Sequence, residues 1–169
     1  LARWAEQHGW PLIRIPGGLA PRAAIGYSFV PLLGVLERAG LVGNKGDELK
    51  ETVAVLRAMR AELGPQVPTG ANAAKQLALR FHGKLPLIYG TGAWRAVVAY
   101  RWKGQINENA KAPAWWNTFP ELNHNETVGW EIPPEVTRLV ELVVLRDRDD
   151  GPRINRRIQV TVDIMADAL

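Results

Sequence analysis

The sequence predicts an α/β fold in which helices flank a parallel β-sheet. A short apolar strand at 84–89 is followed at once by Gly90-Thr91-Gly92 and by an apolar helix over about 93–104. A strand, a glycine-rich turn and a helix in this order typically open a parallel α/β unit. A near-continuous apolar run within 137–145 predicts a second strand, buried on both faces. Apolar residues at helical spacing over 153–168 predict the helix that follows.

Helices are predicted for most of the first half of the chain. Pro21 suits a first helical turn, Asp47 suits the N-cap position of a second helix, and a third helix is expected to begin at about Asn72. The polar stretch 105–126, interrupted by two prolines, predicts loops. The other predicted elements are, in order, a helix over 1–9, a strand over 11–15 and helices over 21–41, 47–63 and 72–82.

Composition excludes several classes of protein. The 169 residues are 47% hydrophobic and 22% charged, as in folded globular proteins and unlike disordered or collagen-like chains. The absence of cysteine excludes disulfide scaffolds, thiol nucleophiles, iron–sulfur clusters and cysteine-ligated zinc. The net charge of +4 comes from scattered basic residues, so we expect no nucleic-acid partner. The apolar runs are too short to cross a membrane, Glu6 interrupts any signal-peptide pattern, and we expect a cytoplasmic protein.

The richest polar cluster is the sequence QINENAK at 105–111, where Glu108 stands between two asparagines. A carboxylate held at the end of an apolar helix can be partly desolvated, which raises its pKa toward that of a general base. An exposed helix-end glutamate is the competing interpretation. In the second cluster, FPELNHNE at 119–126, His124 could exchange protons near neutral pH or could be a surface imidazole.

Three other features have weaker signals. Gly90-Thr91-Gly92 could cradle a phosphate at a helix start, although a tight turn explains it equally well. Arg22 lies near a helix N-terminus, where a cation fits the helix dipole poorly, so it either faces an anion or is an ordinary surface arginine. Trp115 and Trp116 are interpreted as packing or interface residues.

Together the two polar clusters resemble the bifunctional phosphoglucose/phosphomannose isomerases. Further similarity lies in PRAAIGYS at 21–28, RWKG at 101–104 and Gly129-Trp130, so that the resemblance covers roughly residues 11–165 in the same order. It implies sugar isomerase (SIS) domains, each with a parallel five-stranded sheet in a flavodoxin-like three-layer sandwich. We therefore expect residues 1–20 to be the end of a preceding SIS domain and a linker. Residues 21–169 would be the second SIS domain, incomplete at its C-terminal end.

The resemblance also implies a reaction and roles for three residues. Glu108 matches the base that moves a proton between C1 and C2 of an open-chain hexose 6-phosphate. His124 matches a residue that assists ring opening in the partner subunit's site of a homodimer, and Arg22 matches the arginine that stabilises the cis-enediolate. One carboxylate suffices for this proton transfer, so we expect no metal and no redox cofactor. The family's phosphate-binding loops and a C-terminal lysine have no counterpart in this sequence, so we expect little activity from the chain alone.

Two other functions remain open at this point. A non-catalytic SIS module could bind a sugar phosphate without converting it, although such a module needs neither Glu108 nor His124. A nicotinamide-dependent oxidoreductase would bind its cofactor at Gly90–Gly92, where the third glycine of a dinucleotide fingerprint is missing.

Overall fold

The structure is a computed structural model that describes residues 1–131 and 133–166. By internal packing the chain divides into two compact units, Leu1–Glu62 and Leu63–Leu169. Across the described residues, no helix combines the length and apolarity needed to span a bilayer. The elements of the first unit are helix α1 (Ala2–Gln7), a 3-10 turn (Pro21–Ala23), α2 (Ile25–Arg38) and α3 (Gly46–Leu63), whose last residue opens the second unit.

The first unit is helical, and the strand predicted at 11–15 is wrong. These residues are exposed and have no strand pairing. An extended segment becomes a strand only when a neighbouring strand satisfies its backbone N–H and C=O groups, and none of the described residues does so here. The long helix begins with a 3-10 turn at Pro21 and becomes α-helical at Ile25, whereas Asp47 lies inside the first turn of α3 rather than at its N-cap.

The second unit contains the sheet. Asn72 caps its first α-helix, because its side chain accepts a hydrogen bond from the Lys75 N–H at 3.0 Å. The elements are a 3-10 turn (Thr69–Ala71), α4 (Ala73–Phe81), β1 (Leu85–Thr91), α5 (Trp94–Gln105), a π-helical turn (Ile106–Ala110), β2 (Trp115–Phe119), α6 (Leu122–Asn125), a 3-10 turn (Thr127–Trp130), α7 (Pro134–Thr137), β3 (Val140–Leu145) and α8 (Pro152–Ala166).

The three strands are parallel and lie in the order β2-β1-β3. Leu87 of β1 pairs with Trp115 on one side and with Leu142 on the other. After β1 the chain forms β2 on one side of it and then crosses over to form β3 on its other side. The strand order therefore reverses at β1. The parallel sheet with flanking helices confirms the predicted α/β class. β1 is almost wholly buried, whereas β3 is half-buried along its length and is not the doubly buried strand that its apolar run predicted.

Each face of the sheet packs against a different helical layer. Leu87 and Tyr89 of β1 share a buried cluster with Phe119 at the end of β2 and with apolar residues of α6 and α8. Alternation along a strand directs Ile88 and Gly90 to the opposite face, where Gly90 lies against the backbone of α5. The cluster on the α6–α8 face consists of Leu87, Tyr89, Phe119, Leu122, Ile158 and Met165.

Strand β2 occupies part of the stretch for which loops were predicted. Its first two residues, Trp115 and Trp116, are 52% and 37% exposed, and Asn117 and Thr118 interrupt the apolar run. The Trp116 ring packs against Tyr100 of α5, with centroids 5.4 Å apart, so the packing role predicted for it is confirmed. A strand at the edge of the described sheet needs fewer apolar residues, which is why composition alone did not reveal it.

Candidate functional site

Glu108 lies in the π-helical turn that ends α5. Such turns are uncommon and are found frequently at functional sites. The turn is closed by two side-chain contacts: Asn107 Nδ2 donates to the Ala112 carbonyl at 2.8 Å, and Lys111 Nζ donates to the Glu108 carbonyl at 2.7 Å. Lys111 itself is left-handed, with φ of +58°, and stops the helix. The backbone around Glu108 is therefore fixed by residues of the same motif.

The Glu108 side chain lines a surface concavity of about 520 Å³. The concavity is built by α5 and the π-helical turn, and it also includes the cationic side chains of Arg101 and Lys103. The side chain of Glu108 is exposed, as in the interpretation of an exposed glutamate at the end of a helix, and is not partly desolvated.

His124 lies in α6, a single helical turn directly after β2. It is exposed, and within the described residues its imidazole makes no hydrogen bond or ion pair. The residues around it point inward instead: Leu122 is fully buried, and Asn123 Nδ2 donates to Thr161 Oγ1 of α8 at 2.7 Å. The two residues that precede the histidine thus anchor the short helix, while the histidine faces outward.

Glu108 and His124 belong to opposite layers of the second unit. Glu108 follows α5, which covers the Ile88–Gly90 face of β1. His124 is carried by α6, whose Leu122 joins the cluster on the other face. The sheet therefore separates the elements that carry the two residues, and this unit does not bring them together in one cleft. Arg22 is half-buried in the 3-10 turn of the first unit.

Groups of the protein itself occupy the space next to the Gly90–Gly92 turn. A Cβ on Gly90 would lie 2.6 Å from the Arg95 carbonyl oxygen, so glycine is required for α5 to pack closely against β1. The Arg95 guanidinium extends across the turn, where Nε donates to Thr91 Oγ1 and Nη2 lies 3.0 Å from Asp150 Oδ1. Close packing against α5 explains Gly90 without a bound phosphate or dinucleotide.

Asp150 is nearly inaccessible, with a side chain that is 1% exposed. Burial alone would raise the pKa of Asp150. Hydrogen bonds from the Asp147 N–H, the Thr91 hydroxyl and Arg95 outweigh burial and lower the pKa of this carboxyl below its usual value. The ion pair thus joins the end of β1 to the loop between β3 and α8.

Sequence reasoning missed a second polar group, formed by Tyr89, Glu126 and Asn117. The Tyr89 hydroxyl donates to Glu126 Oε2 at 2.6 Å, and Asn117 Nδ2 donates to Glu126 Oε1 at the same distance. Glu126 was visible only as the last residue of the His124 motif. A tyrosine in an apolar strand gives no sign of its partner 37 positions away. Among the described residues, no cluster of three or more histidine, aspartate or glutamate side chains could hold a metal ion.

Comparison of the sequence with known proteins identifies the family of the chain. Residues 70–169 match the family described as the bacterial phospho-glucose isomerase C-terminal SIS domain, and the chain belongs to this family. It is 47% identical over 98% of its length to a bifunctional phosphoglucose/phosphomannose isomerase of Caldicellulosiruptor bescii, covering 49% of that protein. It is 32% identical over 96% of its length to the protein of the same name from Aquifex aeolicus, covering 46% of it.

A third relative carries a different name. The D-glucosamine-6-phosphate 4-epimerase of Sulfolobus acidocaldarius is 30% identical over 72% of this chain, which covers 36% of the epimerase. No solved structure matches the chain. The chain spans about half the length of the curated isomerases that it matches. The family resemblance read from the motifs is confirmed, and the roles of Glu108, His124 and Arg22 stay predictions.

Proposed function

We propose that this chain is the C-terminal portion of an aldose–ketose isomerase that interconverts glucose 6-phosphate or mannose 6-phosphate with fructose 6-phosphate. Membership of the isomerase SIS family carries the proposal. The fixed π-helical turn that presents Glu108 to an open concavity supports it. Residues 1–20 would end a preceding SIS domain, and the remainder would contribute three strands to a five-stranded sheet.

The chemistry assigned to Glu108 is one proton transfer in each direction. Its carboxylate takes the proton from C2 of the open-chain aldose, which leaves a cis-enediolate. The hydroxyl proton on O2 passes to O1, and Glu108 returns its proton to C1 to give the ketose. Glucose and mannose 6-phosphates differ only at C2, so both give the same enediolate. Arg22 would stabilise the negative charge of this intermediate. His124 would pass the ring proton during opening of the cyclic sugar.

The proposed assembly is a homodimer in which His124 serves the partner subunit's site. The separation of α6 from the Glu108 turn by the sheet supports this arrangement, because a residue directed away from its own unit can act in another. The phosphate would be held by parts of the protein outside this chain. We accordingly expect the 169-residue chain by itself to show little turnover.

A coupled assay with fructose 6-phosphate and mannose 6-phosphate tests the proposal on the longest polypeptide that carries this chain. Glu108→Gln is expected to lower kcat by about 10²–10⁴-fold with both sugars, the usual contribution of a general base. Glu51→Gln on exposed α3 is the matched control and should be silent. In deuterated water the product should carry solvent deuterium, because the proton on Glu108 can exchange.

Two results would contradict the proposal. Binding of fructose 6-phosphate without turnover would favour the non-catalytic SIS module. Conversion of glucosamine 6-phosphate to its C4 epimer, without action on fructose 6-phosphate, would favour the reaction for which the Sulfolobus relative is named.

A further inference from the structure

A buried tyrosine hydroxyl in the central strand has no part in the chemistry proposed above. The Tyr89 side chain is fully buried between β1 and the α6–α8 layer. Burial and the neighbouring Glu126 carboxylate raise the pKa of Tyr89, so the phenol stays protonated and donates its hydrogen bond throughout the physiological range. A phenylalanine would fill the same space without the cost of burying a polar group.

The acceptor of this hydrogen bond is the residue that ends the helix of His124. The Glu126 N–H donates to the Leu122 carbonyl at 2.8 Å and so closes α6. The two carboxylate oxygens of Glu126 reach two different strands, Oε2 toward Tyr89 of β1 and Oε1 toward Asn117 of β2. One charged side chain therefore ties the end of α6 to both strands.

A four-residue helix needs such anchors, because a single turn is unstable unless packing or side-chain bonds hold it. Leu122 anchors the start of α6 in the core, Asn123 binds α8, and Glu126 binds the sheet. His124, between them, is exposed. These anchors fix the position of α6 and, through its backbone, the position of the imidazole on the surface.

We propose that Tyr89 and Glu126 are positioning residues that hold α6 so that His124 is presented in one fixed place. The inference rests on the proposed function of His124 as the group that assists ring opening. A misplacement of about 1 Å in a catalytic group can cost about 10²-fold in rate, so loss of one anchor should be visible in turnover.

Tyr89→Phe tests this inference in the longest polypeptide that carries the chain. It is expected to lower kcat by about 5–20-fold and to leave KM for fructose 6-phosphate within about twofold, since substrate binding groups are untouched. Glu126→Gln should give the same division between kcat and KM. Ile88→Val is the matched control, because Ile88 lies next to Tyr89, is equally buried and faces the other layer, and its substitution also removes a buried group.

A double-mutant cycle separates positioning from general weakening. If Tyr89 acts through His124, Tyr89→Phe should have no further effect on kcat in a His124→Ala background. An equal loss of kcat in both backgrounds, or the same loss in Ile88→Val, would overturn the inference. If wild-type protein does not isomerise these sugars, or His124→Ala changes nothing, the proposed function itself has failed.

The ring signals of His124 in a carbon–proton NMR spectrum give a readout that requires no activity. Tyr89→Phe is expected to shift and broaden them, while the signals of His8 and His82, the other histidines of this sequence, stay in place. Unchanged His124 signals would overturn the positioning role, whatever the enzyme's reaction proves to be.

Discussion

Replacing Asp150 by asparagine removes the carboxylate that joins the end of β1 to the loop before α8. The side chain is 1% exposed, and its guanidinium partner on Arg95 is 16% exposed. Removing one member of a buried ion pair costs about 3–5 kcal/mol, because the other charge stays buried without compensation. Arg95 keeps a second carboxylate, Asp147, at 3.8 Å, so we expect a loss near the lower bound, about 3 kcal/mol.

Urea and thermal unfolding followed by circular dichroism would measure this loss. For a chain of this length, about 3 kcal/mol corresponds to a fall in Tm of about 6–12 °C. Asp149→Asn is the matched control, because it removes the same charge one position away from an exposed side chain. If Asp150→Asn unfolds within about 0.5 kcal/mol of Asp149→Asn, the ion pair does not stabilise the unit and the reasoning is refuted.

Two further predictions concern the same edge of the sheet. The folded-state pKa of Asp150 lies below its unfolded value of about 3.9, so its contribution to stability is present above that pH and lost as the pH falls through the folded pKa. The difference in urea midpoint between wild type and Asp150→Asn should therefore be constant from about pH 8 to pH 5 and shrink below about pH 4; a difference that grows on acidification would contradict the assignment. Gly90→Ala should cost about 1–3 kcal/mol in free energy of unfolding, because the new methyl group meets the Arg95 carbonyl at 2.6 Å. Gly92→Ala, whose methyl group would meet nothing nearer than 3.9 Å, is its control in the same unfolding assay, and equal losses would refute the close-packing argument.

The elements that sequence predicted best carry their signals locally. β1, α5 and α8 follow from apolar spacing and from the glycines between β1 and α5. The segment 11–15 has the composition of a strand but no described neighbour to pair with. Pairing is a property of two segments, so a pattern in one of them could not decide it.

The candidate site likewise combines residues that the sequence predicted with an arrangement that it could not predict. Motif resemblance selected Glu108 and His124, but the distribution of the two residues between opposite layers depends on the crossover from β1 to β2 and on the packing of α6. The Tyr89–Glu126 contact spans 37 positions, and the Arg95–Asp150 contact spans 55. Contacts of that separation exist only once the sheet has formed, and nothing in the local sequence on either side predicts them.

The placement of these groups indicates how the second unit works in the proposed isomerase. In parallel α/β folds a ligand usually binds beyond the carboxyl ends of the strands, where the strand order reverses. Here that place, next to the end of β1, holds the Arg95–Asp150 ion pair. Glu108 instead follows α5, which must return to the amino edge of the sheet before β2 can run parallel to β1. His124 stands on an anchored turn over the other face. The candidate residues are therefore presented outward on fixed turns and are not gathered in the crevice of this unit. That arrangement supports an isomerase whose reaction centre is assembled from more than one domain or subunit.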